Sequence, residues 1–169
     1  MSARPAAMSV RQPANAGIVR YLERPGRAAG RPDVRAPRGD RRDYWESGAH
    51  PDIVERLWDQ LGRDLPVACR QVVLGSPALV HPATGVVLAM ALGTQYGLRL
   101  PASALRNGLP AGVRTENVWS NGSRMDIQQA FGADWIFGAW SSDELMWCAQ
   151  AFDELTMRPD PAQDGRGGS

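Results

Sequence analysis

Hydrophobic residues recur with helical spacing at both ends of the central part of the chain. In Pro51 to Arg63 the apolar residues repeat every three or four positions, and Pro51 suits the first turn of a helix. The second segment follows Ser141-Ser142-Asp143-Glu144, which has the pattern of a capping box. Its apolar face is formed by Leu145, Cys148, Ala149, Phe152 and Leu155. Both segments predict amphipathic helices.

Between these helices the pattern becomes that of β-strands. Val67 to Leu74 is rich in β-branched residues and is closed by a Gly-Ser-Pro loop. Ala78 to His81 and Val86 to Leu92 flank a His-Pro-Ala-Thr-Gly turn, which is typical of a hairpin, and the second strand is apolar on both faces. Thr94 to Leu100 alternates like a half-exposed strand. Together these segments predict a β-meander from Val67 to Leu100.

The region after the meander predicts a mixture of elements. Pro101 to Asn107 suits a short helix and Val113 to Trp119 a strand. Ser123 to Phe131 suits a helix ended by a glycine, and Asp134 to Trp140 an aromatic strand. The predicted fold class is therefore α+β, with a mostly antiparallel sheet and helices packed on one face.

Composition divides the chain into three parts. Residues 1–43 are built largely of Arg, Pro, Ala and Gly, and their main apolar cluster is the short segment around Ile18 and Leu22. So little apolar surface does not offset the entropy of ordering, which predicts a disordered N-terminal tail. Residues 44–157 form the predicted single domain, and residues 158–169, rich in Pro, Asp and Gly, a disordered C-terminal end.

Charge follows the same division. Residues 1–43 carry ten Arg against four acidic residues, whereas residues 44–157 carry seven Arg against twelve. A basic tail of this kind could bind nucleic acid or an anionic membrane surface, or fold back on the acidic body. All nineteen basic residues are arginine, however, which is the bias of GC-rich, bacterial-like coding, so the arginine count carries little weight.

The cellular location is predicted from the absence of membrane-spanning and signal segments in the sequence. No stretch reaches the roughly 18 apolar residues that a membrane span needs, and the N-terminus has no apolar signal region. Cys69 and Cys148 lie far apart in apolar surroundings, as reduced and buried thiols do. We expect a cytoplasmic protein with no membrane partner.

Common catalytic motifs are missing. The chain has no lysine and therefore no phosphate-binding loop that ends in one, and it has no GxSxG, HExxH or CxxC pattern. With two histidines and unclustered cysteines, we expect no zinc and no cofactor. Cys69 and His81 are the one pair that suggests nucleophilic catalysis, although the predicted register places His81 opposite Gln71. The alternative is a buried cysteine and a turn-flanking histidine bonded to backbone.

Two sets of residues are candidates for binding. Trp135, Trp140 and Trp147 cluster near the last helix, and Trp147 lies off its apolar stripe, so partial exposure and a binding hot spot are expected. The alternative is that these tryptophans fill the core. The second set comprises Arg70, His81 and Arg99, which a meander could bring to one polar sheet face; an ordinary solvated face is the alternative.

These observations favour a noncatalytic module that binds protein, acting as an accessory or neutralising (immunity-like) partner. Its predicted binding residues are Trp135, Trp140, Trp147, Arg70, His81 and Arg99. One alternative is a small hydrolase of unfamiliar type that uses His81 as acid or base. A further alternative is nucleic-acid binding through residues 1–43.

Overall fold

A computed structural model describes residues 9–23, 30–45, 48–107, 130–137 and 143–157. The strands are β1 (Val34–Arg35), β2 (Arg70–Val73), β3 (Ser76–Val80), β4 (Val87–Leu92), β5 (Gln95–Arg99) and β6 (Trp135–Phe137). The α-helices are α1 (Ala16–Leu22), α2 (Arg42–Trp45), α3 (Pro51–Glu55), α4 (Ala102–Asn107) and α5 (Glu144–Met157). The strands pair in chain order as one antiparallel sheet. The predicted α+β class with an antiparallel meander is confirmed.

Helix α3 continues directly into a π-helical segment, Arg56–Leu61. His50 caps α3 by accepting a hydrogen bond from the backbone N–H of Asp52 at 3.2 Å, and Pro51 occupies the first turn. Together the two segments confirm the predicted helix. Its last turns are wider than an α-helix, a local form that occurs often at functional sites.

The hairpin that joins β2 to β3 turns at Leu74 and Gly75, whose φ angles are 47° and 84°. Two consecutive positive φ angles give the tight turn that matches the twist of the flanking strands. This shorter turn corrects the predicted loop, because Gln71 pairs with Ala78 and His81 lies beyond the end of β3. The residues Val67–Cys69 form a 3₁₀ turn, so the strand begins later than predicted.

The middle strands are buried on both faces. Every residue of β4 is buried, as predicted, and β5 is buried up to Arg99. The expectation that the β5 segment is half-exposed is wrong, since even Gln95 is only 7% exposed. A second covering layer accounts for this difference.

Each face of the sheet has its own hydrophobic core. On one face, side chains of α3, the π-helical segment and α5 pack on the sheet; this cluster includes Leu57, Trp58, Leu61, Val72, Leu79, Leu88, Leu98, Trp147, Cys148 and Leu155. On the other face, side chains of α1 pack with the alternate strand residues; this cluster includes Ile18, Leu22, Val73, Val80, Val87, Met90, Phe131, Trp135 and Phe137. The second cluster corrects the expectation that all helices lie on one face.

The N-terminal segment is therefore part of the fold. Residues 9–23 and 30–43 were expected to belong to a disordered tail, but Ile18 and Leu22 are at most 1% exposed and β1 pairs with β2. The side chains of Ile18, Val19, Tyr21 and Leu22 cannot order a chain by themselves, but here they cover a sheet face that would otherwise meet water. Residues 1–8 and 24–29 lie outside the described part of the chain.

The later elements agree with the sequence where they are described. Helices α4 and α5 confirm two predicted helices, and β6 confirms the start of the predicted Asp134 to Trp140 strand. The predicted strand from Val113 to Trp119, most of the Ser123 to Phe131 helix, and residues 158–169 lie outside the described residues. No helix in the described ranges is long and apolar enough to cross a membrane.

Candidate functional site

An open cleft of about 660 Å³ separates the loop before α2 from the helix formed by α3 and the π-helical segment. We call it the loop–helix cleft. Its lining residues are Pro37, Gly39, Asp40, Arg41, Asp43, Tyr44, Pro51, Val54, Glu55, Trp58, Asp59 and Arg70. The cleft thus combines an apolar floor with charged walls, which is the usual composition of a binding site.

The loop wall of the cleft is held in shape by Asp43. Its carboxylate accepts hydrogen bonds from the backbone N–H groups of Arg38 at 2.9 Å and Gly39 at 2.8 Å, and from the guanidinium of Arg35 at 2.9 Å. Burial acts to raise the pKa of Asp43, but these hydrogen bonds outweigh it and hold the pKa below its ordinary value. Asp43 therefore organises the loop as a buried anion.

The helix wall presents the carboxylates of Glu55 and Asp59 and the side chain of Trp58. Trp58 is 9% exposed and donates from Nε1 to the carbonyl oxygen of Ala78 at 3.0 Å, so its ring cannot rotate freely. Glu55 and Asp59 are exposed and lie four positions apart. Within the described part of the chain, the Glu55 side chain has no hydrogen-bond or ion-pair partner.

Arg70 extends from β2 to the base of the cleft. Its Nη1 lies 3.2 Å from Oδ1 of Asp59, and its side chain is 31% exposed. Its Nε is buried and makes no hydrogen bond to any residue that the structure describes. Of the five predicted binding residues that the structure describes, Arg70 alone lines this cleft.

His81 is enclosed and fully engaged. Its Nδ1 accepts hydrogen bonds from the backbone N–H groups of Ala83 at 3.1 Å and Thr84 at 3.2 Å, and its Nε2 lies 2.8 Å from Oγ1 of Thr156. The ring stacks on Phe152 and is 2% exposed. Since Nδ1 accepts, Nε2 carries the proton, and burial lowers the pKa of His81. This environment supports the interpretation of His81 as a turn-flanking structural residue.

The two cysteines are buried and free. Burial raises the pKa of Cys69 to about 11 and that of Cys148 to about 12. Nucleophilic attack requires the thiolate, which such pKa values leave almost unpopulated at neutral pH. Cys69 is also not among the hydrogen-bond partners of His81 in the described residues.

Arg99 lies on the opposite face of the sheet from Arg70. It donates to the carbonyl oxygens of Val87 at 2.8 Å and Ala14 at 3.1 Å, and its Nη1 lies 3.2 Å from the carboxylate of Asp134. Its guanidinium also stacks over the ring of Trp135, 5.0 Å from the centroid. The expected polar face with Arg70, His81 and Arg99 is thus not assembled, since the three side chains serve different parts of the fold.

The tryptophans near α5 do not form an exposed cluster. Trp135 is completely buried, and Trp147 is 4% exposed within the helix-covered core. The expectation that Trp147 is partly exposed is wrong, because α5 turns Trp147, Cys148, Ala151 and Leu155 inward and leaves Leu145 at the surface. Trp140 lies outside the described residues.

Several arginines of the N-terminal region pair with acidic residues of the same region. Arg11 bonds Asp33 at 2.8 Å and also Glu23, and these partners, Asp33 first, raise its pKa further. Arg35 pairs with Asp43 at 2.9 Å. Pairing of this kind reduces the positive charge that is available to a nucleic acid.

Most of the cleft was not predicted from the sequence. Tyr44, Glu55 and Asp59 were not selected as binding residues. The sequence does show that Glu55 and Asp59 lie four positions apart in the predicted helix, which is the spacing of residues on one helical face. The loop wall could not be found, because it was assigned to a disordered tail.

Among the described residues no three His, Cys, Asp or Glu side chains are grouped so that they could hold a metal ion. Comparison of the chain with protein-family models, with curated proteins and with solved structures finds no match.

Proposed function

We propose that this protein is a noncatalytic module that binds another protein, and that the loop–helix cleft is its binding surface. The observation that carries the proposal is the cleft itself, which joins an apolar floor at Tyr44 and Trp58 to exposed charges at Glu55 and Asp59. Clefts with an aromatic floor and a polar rim match the composition of binding hot spots.

The chemistry of the remaining reactive groups supports a noncatalytic role. His81 is enclosed with both ring nitrogens engaged, and burial keeps Cys69 and Cys148 in the thiol form. A hydrolase that used His81 would need the ring to reach a substrate, and at 2% exposure the ring offers no such access.

Charge complementarity indicates a basic partner surface. Residues 44–157 carry seven Arg against twelve acidic residues, and two of these acids, Glu55 and Asp59, lie on the helix wall of the cleft. Opposite charge on the partner would steer association and fix the register of binding.

A quantitative capture experiment with charge-reversed variants tests this proposal. The native lysate is passed over immobilised wild-type protein, Glu55→Arg and Asp153→Arg, and bound proteins are quantified by mass spectrometry. Both substitutions change the net charge equally and replace exposed acids, one in the cleft and one on α5. We expect one stoichiometric protein retained by wild type and Asp153→Arg and lost from Glu55→Arg. Equal retention by all three would place binding elsewhere and refute the proposal.

A further inference from the structure

We propose that the loop–helix cleft recognises an arginine side chain carried by an extended segment of the partner, and that Arg70 occupies part of this position while the partner is absent. This inference rests on the protein-binding function proposed above and names the chemistry that the cleft selects.

The helix wall supplies the anionic part of the recognition site. Glu55 and Asp59 lie four positions apart along the helix, both line the cleft, and both are exposed. Two carboxylates at this spacing can each accept hydrogen bonds from one planar guanidinium, whose donors form a rigid fork. A lysine ammonium, being a compact point charge, gains less from such an arrangement.

The floor supplies a surface for the flat part of an arginine. Tyr44, Val54 and Trp58 line the cleft beside the two carboxylates, and the ring of Trp58 is held by its hydrogen bond to Ala78. A guanidinium stacks favourably on an aromatic face, and its aliphatic stem covers apolar carbon. Because Trp58 is already fixed, little side-chain freedom is lost on binding.

The opposite wall suits an extended backbone. Arg41 is exposed there, has no ion-pair partner among the described residues, and offers guanidinium donors to the carbonyl oxygens of a bound segment. The cleft volume of about 660 Å³ lies in the range that accommodates a ligand larger than one side chain.

Arg70 shows that a guanidinium already fits at the base of this site. Its Nη1 lies 3.2 Å from Asp59, so an arginine of the partner would compete with Arg70 for the same carboxylate. Removal of the Arg70 charge should therefore strengthen binding, whereas removal of the Asp59 charge should weaken it. A purely structural role for the Arg70–Asp59 pair would make both changes unfavourable.

Titration with small arginine analogues, followed by two-dimensional ¹H–¹⁵N NMR of the full chain, tests the inference. The probes are N-acetyl-L-argininamide, its uncharged counterpart N-acetyl-L-citrullinamide, and N-acetyl-L-lysinamide. We expect saturable shifts of the Trp58 indole N–H and the Glu55 amide with the arginine probe. The affinity for the citrulline probe should be at least about tenfold lower than for the arginine probe, as the loss of a charge-assisted hydrogen bond implies. The lysine probe should bind more weakly than arginine.

The same titration on variants separates recognition from structure. Asp59→Asn should weaken arginine binding about tenfold and Arg70→Met should strengthen it by about threefold or more, given the size of charge-assisted contacts. Asp153→Asn on α5 is the matched control and should leave the affinity unchanged. Should Arg70→Met alter the spectrum as a whole, Arg70→Gln replaces it.

Equal affinity for the arginine and citrulline probes, or weaker binding by the Arg70 variant, would overturn the inference. Either result would leave the proposed function standing as long as Glu55→Arg loses the captured protein. If Glu55→Arg retained the captured protein as well as wild type does, the proposed function itself would be refuted.

Discussion

Asn15 joins the N-terminal segment to the sheet through a side-chain amide whose nitrogen and oxygen are both hydrogen-bonded. It is completely buried, donates to the carbonyl oxygens of Val10 and Gly85 at 2.9 Å, and accepts from the backbone N–H of Val87 at 3.0 Å. Its contacts with Gly85 and Val87 satisfy backbone groups at the start of β4. Asn15 is thus a buried polar link between two distant parts of the chain.

Replacement of Asn15 by alanine should be costly. Asn15→Ala leaves buried backbone groups of Gly85 and Val87 unpaired, and we expect the free energy of unfolding to fall by about 3 kcal/mol. Gln12→Ala is the control, because the Gln12 amide also bonds this turn, to the Thr84 carbonyl oxygen at 2.7 Å, but lies partly in water. Its cost should stay below about 1 kcal/mol. Urea unfolding measures both; equal effects would contradict the role of Asn15.

His81 should make stability depend on pH. Its pKa is lowered in the folded protein by burial, so the unfolded chain binds the proton more readily. The stability that neutral His81 contributes is therefore complete above its ordinary pKa of 6.5 and declines as the pH falls below that value. We expect the urea midpoint to drop between pH 7.5 and 5.5. His81→Asn should flatten this drop; a drop of the same size in the His81 variant would exclude this origin.

Residue roles were the least predictable part of the molecule. Arg99, Trp135 and Trp147 have large side chains that each carry a polar group, and such side chains occur both on binding surfaces and in cores. Burial decides between the two, and burial depends on which elements cover each face. Trp147 illustrates this, because α5 turns a different side toward the sheet from the one that its sequence pattern indicates. Trp147 therefore lies in the core and not at the surface.

At the scale of elements, helix α1 depends on very close packing. A Cβ atom built on Gly17 would lie 1.6 Å from the carbonyl oxygen of Ala130, so only glycine permits this approach. The helix lies against the segment that leads into β6, and its apolar face joins Phe131 and Trp135 in one cluster. Docking of α1 is thus tied to a specific position.

Gly17→Ala gives opposite results for a docked and a free α1. Alanine favours an isolated helix over glycine by about 1 kcal/mol, so a free segment would gain helicity. In the docked helix the added methyl group clashes with backbone, and we expect unfolding free energy to fall by about 2 kcal/mol, typical of overpacking. Arg20→Ala on the exposed side of α1 serves as the control. Hydrogen exchange of the α1 amides that is unchanged in Gly17→Ala would contradict the docking.

Local elements were predicted well because their signals are local. The meander, the helix from Pro51 and the last helix each have a period, a cap or a turn that lies within a few residues. The half-exposed assignment of β5 failed for a non-local reason. Its second face is covered by residues that are distant in the chain, as Arg99 shows by donating to the carbonyl oxygen of Ala14, 85 positions earlier. The cleft was missed for the same reason, because one wall comes from the region taken as a tail.

In the whole molecule, both faces of the sheet are covered by other parts of the chain. Removal of residues 1–43 would expose the apolar side chains of Val73, Val80, Val87 and Met90, which now pack with α1. So large an exposed apolar surface favours aggregation.

A chain that starts at Tyr44 should therefore lose its cooperative thermal transition and aggregate. A chain that lacks only residues 2–8 removes none of the described contacts and should melt as the full chain does. Calorimetry and size-exclusion chromatography measure both. A monomeric truncated chain that melts at the wild-type temperature would show that the N-terminal layer contributes nothing to the fold.

Photo-crosslinking at single positions in cells tests most directly whether the loop–helix cleft binds a partner protein. The photoreactive residue p-benzoyl-L-phenylalanine replaces Asp40 in the cleft or Asp153 on the exposed side of α5. We predict one discrete protein adduct from position 40, absent from position 153, and lost when Asp59→Arg is introduced on the facing wall. No adduct at position 40, or the same adduct from both positions, would contradict binding at the cleft.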